Sequence, residues 1–154
     1  EAASAAGYEH YEVSNFARPG HRSKHNTSYW QGVPYLGIGP SAHSYDGQER
    51  RWNAANNATY MNALASGEPY WEQETLREAD RYNEWVMTGL RLIDGIDPKR
   101  IGEYGPELQS HFASEVEKSL QAEDLEEVNG KLRIAPLRRF RSDGIASDLF
   151  FLDA

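Results

Sequence analysis

Cysteine is absent from the 154 residues, which excludes disulfides, a thiolate metal site and a cysteine nucleophile within this chain. Long apolar runs are missing too. No stretch approaches the ~18 residues that a membrane span requires. Positive charge is scarce: 16 Lys and Arg stand against 24 Asp and Glu, a formal net charge of −8 with a pI near 5.1. So acidic a chain repels phosphate backbones, and nucleic acid is excluded as a partner. The deficit is spread out, with five Lys/Arg against eight Asp/Glu in residues 1–75 and eleven against sixteen in 76–154. The first residues, Glu1-Ala2-Ala3-Ser4-Ala5-Ala6-Gly7, read as a helix tail and its glycine stop, with no charged-then-apolar leader. The expectation is a cytoplasmic piece of a longer protein, with length for one domain or two small ones.

What the chain does have is concentrated in residues 8–45. Polar and aromatic residues alternate there, Gly and Pro recur, and four of the five histidines (His10, His21, His25, His43) fall inside it. The aromatic and β-branched alternation of residues 8–16 predicts a strand, closed by turn chemistry at Arg18-Pro19-Gly20. Residues 18–33 are polar and Gly-rich and read as a long loop. Residues 34–39 read as a second short strand whose glycines permit a bend or a close backbone approach. Residues 46–75 read as connective, with one short helix over 59–65.

From Leu76 the pattern turns helical. Tyr82, Trp85, Val86, Gly89, Leu90 and Ile93 make an apolar stripe that Asp94-Gly95 stops. Asp97-Pro98 caps a short helix, and Gly105-Pro106 opens another whose Leu108, Phe112, Val116 and Leu120 step by four. Asn129-Gly130 between two apolar-patterned runs predicts a two-residue hairpin. A final helix is expected over 136–151, with Asp143-Gly144 as a possible break.

Several motifs have plainer readings. Gly37-Ile38-Gly39-Pro40-Ser41-Ala42 formally fits GxGxxG/A, but Asp46-Gly47 leaves no room for the helix that a dinucleotide site needs. His21 and His25 are spaced to share a metal only on a helix, which Pro19-Gly20 and Asn26 argue against, and no third ligand sits nearby. His43-Ser44 lacks a nucleophile elbow. The carboxylate pairs Glu126-Glu127 and Glu115/Glu117 fall on solvent faces. Arg91 and Arg138-Arg139-Arg141 either grip a ligand's carboxylates or pair with neighbouring acids.

Taken together, three runs resemble one family: Gly7-Tyr8-x-x-Tyr11-Glu12-Val13-Ser14-Asn15-Phe16-Ala17-Arg18-Pro19-Gly20, His25-Asn26-x-x-Tyr29-Trp30, and Tyr35-Leu36-Gly37-Ile38-Gly39-Pro40-Ser41-Ala42-His43-Ser44. They look like the radical S-adenosylmethionine proteins related to oxygen-independent coproporphyrinogen III oxidase, and Arg51-x-Asn53 and Leu90-Arg91-Leu92-x-x-Gly95-Ile96 extend the likeness. Ser14-Asn15 replaces an Asp-His pair of the oxidase and Pro40 also departs from it, which tilts the resemblance toward the haem-chaperone branch.

That resemblance implies an α+β chain. Residues 1–45 would be the closing strands of a partial (β/α) radical SAM barrel, 46–75 a connecting segment, and 76–154 a helical, winged-helix-like C-terminal domain. It implies S-adenosylmethionine and a 4Fe–4S cluster in the full-length protein, with the cluster cysteines outside this chain, so that the chain alone is inactive. Gly39 and Ala42 would line the S-adenosylmethionine site through their backbone. Porphyrin or haem is the implied ligand and a haem-accepting protein the implied partner. Whether the full-length protein turns over as an oxidase or carries haem as a chaperone stays open, beside a reading of 76–154 as a partner-docking module without ligand chemistry.

Overall fold

The computed structural model describes residues 2–152. In chain order the elements are α1 (Ala2–Ala5), β1 (Glu9–Glu12), β2 (Asn15–Ala17), α2 (Lys24–Trp30), β3 (His43–Tyr45), β4 (Glu49–Asn53), α3 (Asn57–Ser66), β5 (Trp71–Thr75), α4 (Glu78–Leu90), α5 (Pro106–Gln121), β6 (Leu125–Val128), β7 (Lys131–Ile134) and α6 (Ser142–Asp148), with 3-10 helices at Pro98–Glu103 and Pro136–Arg141. All strand pairing is antiparallel, as β1-β2, β3-β4-β5 and β6-β7. The chain divides into two compact units, one formed by residues 2–31 with 78–152 and the other by 32–77.

The first unit is built on the α4 stripe. Tyr82, Val86 and Leu90 are at most 2% exposed and meet Leu108 and Phe112 of α5, Leu132 and Ile134 of β7, and Ile145 and Leu149. Burying each such side chain contributes on the order of 1.5–3 kcal/mol before chain entropy is subtracted. Polar groups finish the closure. The Tyr82 hydroxyl donates to the Leu149 carbonyl at 2.9 Å, while Asn83 clamps Phe151, donating to its carbonyl and accepting from its N–H. Asp97 caps the Pro98–Glu103 turn through Lys99 N–H, and Asn129 and Gly130, both at positive φ, close the β6–β7 hairpin.

The N-terminal part of this unit departs from the sequence reading. Residues 8–16 are not one strand but the hairpin β1–β2, turned at Val13-Ser14. The cause is Glu12, whose buried carboxylate accepts from Ser14 N–H and Asn15 Nδ2 and so folds the chain back. The expected loop over 18–33 contains α2, capped by Ser23, whose Oγ accepts from Asn26 N–H. Helix α1 ends as expected at Gly7, with Tyr8 N–H on the Ala3 carbonyl and Gly7 N–H on that of Ser4, both at 3.0 Å. Glu1, the start of that reading, lies outside the described residues. The final helix over 136–151 is a 3-10 turn followed by α6, which ends at Asp148.

The second unit is where the expected boundaries shift most. Residues 46–75 are not a connecting segment. β3 pairs with β4 from His43↔Trp52 to Tyr45↔Arg50, and β4 with β5 from Glu49↔Thr75 to Asn53↔Trp71. A boundary at 45 would cut this sheet. Only a Tyr35↔Tyr45 bridge remains of the strand expected over 34–39. α3, capped by Asn56 and ended by Gly67, has no buried residue, and Asn53 and Leu76 are the unit's buried side chains.

Candidate functional site

Residues 37–42 form a bend that the rest of the second unit locks. A Cβ on Gly37 would stand 2.1 Å from the His43 carbonyl oxygen, so no other residue fits there. Its N–H donates to Ser44 Oγ at 3.0 Å. Gly39 turns the chain at φ 102° and Ser41 follows at φ 59°, a left-handed conformation that a non-glycine residue adopts only under constraint. Asn53 supplies that constraint. Only 7% exposed, it donates through Nδ2 to the carbonyls of Gly39 at 2.9 Å and Gly37 at 3.5 Å, and its own N–H donates to the Ala42 carbonyl at 2.9 Å. The Gly39 N–H donates to the Tyr60 hydroxyl at 3.3 Å, and Ser41 N–H to the Ala54 carbonyl at the same distance.

Gly39 and Ala42, the two candidate cofactor-binding positions, therefore sit in one rigid turn, joined by the Ala42 N–H on the Gly39 carbonyl at 3.3 Å. The backbone polar groups of Ala42 already have partners, and the space where a Gly39 Cβ would stand is open. Outward from the turn, Leu36 and Ile38 stand 79% and 83% exposed. Asn53 reads in the sequence as a turn former. Its place at the end of the Arg51-x-Asn53 run was the available sign of this locking role.

In the first unit, Glu12 is 1% exposed and carries a network of its own. Arg91 Nε and Nη2 both reach Glu12 Oε1 at 2.9 Å, and Arg91 Nη1 reaches Asp143 at 2.7 Å. The same guanidinium lies 5.0 Å from the centre of the Trp30 ring. Val13 N–H donates to the Arg91 carbonyl and Ile93 N–H to that of Tyr11, which fastens the β1–β2 hairpin to the end of α4. A shallow groove beside this network is lined by His10, Glu12, Arg91, Ile134, Arg139 and Ser142. Arg22 makes a second clasp, gripping Glu9 at 3.0 Å and Asp94 at 2.8 Å. That grip holds the Glu9 carboxyl below the usual carboxylate range and the Arg22 guanidinium above its own.

The remaining candidates disperse. His21 lies before α2 and His25 within it, so their spacing is not that of two ligands on one helix, and His25 meets Tyr29 edge-on at 4.8 Å. His43 and Ser44 are neighbours on β3 and so project to opposite faces, with Ser44 serving the Gly37 N–H. Strand β3 follows the glycine bend where a dinucleotide site needs a helix. Glu126 pairs with Arg133 at 2.7 Å and Glu115 with Lys118 at 2.6 Å. Among the described residues no group of three His, Asp or Glu converges as a metal site.

No family model matches the chain. Among curated proteins it is 38% identical over 112 residues to the heme chaperone HemW of Bacillus subtilis, covering 71% of this chain and 30% of that one. It is 41% identical over 100 residues to the HemW of Mycobacterium tuberculosis H37Rv, covering 64% and 26%. The mitochondrial radical S-adenosyl methionine domain-containing protein 1 of Bos taurus is 33% identical over 132 residues, covering 78% and 30%. In fold, 96% of the chain superposes on 38% of coproporphyrinogen III oxidase HemN from Escherichia coli, a radical SAM enzyme, with a TM-score of 0.67 and 18% identity. In sequence the chain is similar to HemW heme chaperones, and in fold to HemN. The chain has mixed α and β structure, and it spans about 30% of the length of the first curated relatives it matches. No helix among the described residues is long and apolar enough to cross a membrane.

Proposed function

We propose that this chain is the C-terminal part of a radical S-adenosylmethionine protein of haem or porphyrin metabolism, in the haem-chaperone branch. The observation that carries the reading is the 37–42 bend. A glycine that nothing else can replace, a left-handed Ser41 and a buried Asn53 hold a main-chain face open and rigid, and preorganisation of that kind is what a bound nucleotide uses. In this reading Gly39 and Ala42 lie beside the adenine of S-adenosylmethionine and contribute shape, since the Ala42 N–H and carbonyl are already engaged. Bound upstream, the cofactor supplies reductive radical chemistry. This chain's residues position and enclose.

A 4Fe–4S cluster finds no ligands here, because the chain has no cysteine. The reading places the cluster's cysteines in a preceding segment and the chain alone as inactive. The order of helices followed by the β6–β7 hairpin supports a winged-helix-like arrangement within 76–152. A net charge of −8 speaks against DNA as its ligand. Haem or a porphyrin is the ligand this reading assigns, and a haem-accepting protein its partner. Cluster reconstitution with iron and sulfide tests the division of labour. The isolated chain should stay colourless near 400 nm, and a cluster formed on it would refute the assignment.

A further inference from the structure

Among the described residues, the three-stranded sheet of the second unit ends on β5, which β4 borders on one side and no strand borders on the other. The ladder register tells which of its groups are left over. Ala54 N–H donates to the Tyr70 carbonyl at 2.8 Å and Leu76 N–H to the Gln48 carbonyl at 2.9 Å. These bonds flank a pairing that runs unbroken from Glu49↔Thr75 to Asn53↔Trp71. In an antiparallel ladder, hydrogen-bonded and non-hydrogen-bonded pairs alternate. Glu72 and Glu74 are therefore in step with Tyr70 and Leu76 and turn their main-chain groups to β4. Trp71, Gln73 and Thr75 turn their N–H donors and carbonyls outward, along an exposed edge.

Edges of this kind are commonly closed by Lys, Pro or a bulge, because an open one invites another strand. Trp71–Thr75 carries none of these, and every one of its residues is exposed. What it carries is Glu72 and Glu74 on one face, Glu72 accepting from Trp52 Nε1 at 3.1 Å and Glu74 meeting Arg50 at 3.5 Å. Trp71, Gln73 and Thr75 lie on the other face. There Arg51 pairs with Glu49 at 3.1 Å and stands 5.9 Å from the centre of the Trp71 ring. These charges sort the occupants. A second copy pairing antiparallel about Gln73 sets Glu72 against Glu74 on both sides. Sliding it two residues either way sets Glu72 on Glu72 or Glu74 on Glu74. Like charges directly opposite each other destabilise a sheet. On an incoming antiparallel strand, cations at alternate positions instead stand opposite Glu72 and Glu74, in the non-hydrogen-bonded pairs where side chains come closest. The residues between them lie beside the Trp71 ring, which is 37% exposed.

We propose that β5 is a docking edge for an extended, cationic segment of a partner protein, which adds a fourth, antiparallel strand to this sheet. Main-chain hydrogen bonds to Trp71, Gln73 and Thr75 supply the affinity, and Glu72 and Glu74 select for Lys or Arg. The proposal is independent of the nucleotide and haem readings above.

A capped, fluorescein-labelled hexapeptide of alternating Val and Lys, titrated into the 154-residue chain at fixed low salt and followed by anisotropy, tests this. It should bind about tenfold more tightly than the matching peptide of Val and Glu. N-methylation of every peptide amide keeps the charge and removes the donors, and should weaken binding about tenfold. Gln73→Pro should do the same from the protein's side, since it removes an outward N–H and leaves the β4 ladder in place. Glu72→Lys with Glu74→Lys should reverse the preference toward the Val and Glu peptide. Lys118→Gln, at an exposed position of α5 in the first unit, should change nothing. Far-UV melting curves check that the variants fold, and if Gln73→Pro does not, the methylated peptide decides alone. Equal binding of the methylated and unmethylated peptides would reduce β5 to a diffuse acidic patch and overturn the proposal. So would no binding of the Val and Lys peptide. If sedimentation instead finds a dimer that Gln73→Pro makes monomeric, the edge belongs to a second copy, which also overturns it.

Discussion

Glu12 shows how one residue can set local topology. Its carboxylate is fully enclosed and satisfied by Arg91, Ser14 N–H and Asn15, and the chain reverses around it. Removing one partner of such a pair strands a buried charge, so Arg91→Ala should cost about 3–5 kcal/mol in urea unfolding. Glu12→Leu with Arg91→Met should lose far less than the sum of the two singles, and an additive loss would remove the coupling. Tyr82 makes a second prediction. Burial raises its phenol above the ordinary tyrosine range, so the folded state holds the proton more tightly than the unfolded chain. The stabilisation is complete below the unfolded pKa of about 10 and is lost as pH rises through the folded value. Urea midpoints should therefore decline more steeply above about pH 10 in wild type than in Tyr82→Phe, which itself gives up about 1 kcal/mol at neutral pH. Parallel declines would contradict this account of the ring.

Among the elements, those whose signal is local match their sequence patterns. The α4 stripe, the Asp97-Pro98 cap and the Asn129-Gly130 hairpin each rest on residues a few positions apart and form where their patterns lie, except that α4 ends at Leu90, before the expected Asp94-Gly95 stop, and leaves Ile93 outside the helix, bonded to Tyr11. Gly95, read from the sequence as a helix stop, is more than that. At φ 68° its missing Cβ would stand 2.1 Å from the Leu132 carbonyl, where Ile96 pairs with β7. Gly95→Ala should destabilise the first unit by about 2–4 kcal/mol, the strained φ and the backbone clash adding together. An unchanged melting curve would refute the packing argument.

The elements that were not legible depend on distant partners. The β1–β2 turn carries no Gly or Asn-Gly; Glu12 closes it on Ser14 and Asn15, and Glu12 is buried in pairing with Arg91, 79 positions away. Helix α2 buries none of its residues and shows no stripe, so its Ser23 cap was its one local sign. Strand β5 is exposed along its whole length, which removes the alternation that marks a half-buried strand. At the candidate site the glycines of 37–42 were legible as a close-approach motif. The locking by Asn53 and Tyr60, 14 and 21 positions from Gly39, was not.

At the scale of the molecule, the two units differ in what holds them. The first encloses a continuous apolar core around Tyr82, Val86 and Leu90, whereas the second rests on ladder hydrogen bonds and buried Asn53 and Leu76. Amides of β4 and β5 should therefore exchange with deuterium well before those of α4 and α5. Equal protection would show that hydrogen bonds alone sustain the second unit. Leu36, Ile38, Met61 and Leu64 of this unit are exposed.

The most direct test of the central claim, that the glycine bend is shaped to lie against a bound nucleotide, is equilibrium dialysis of S-adenosylmethionine against the longer, cluster-bearing protein. Asn53→Ala, which frees the bend, should raise the dissociation constant about tenfold, each lost hydrogen bond being worth on the order of 1 kcal/mol, while the cluster absorbance stays unchanged. An unaltered dissociation constant in Asn53→Ala would contradict it.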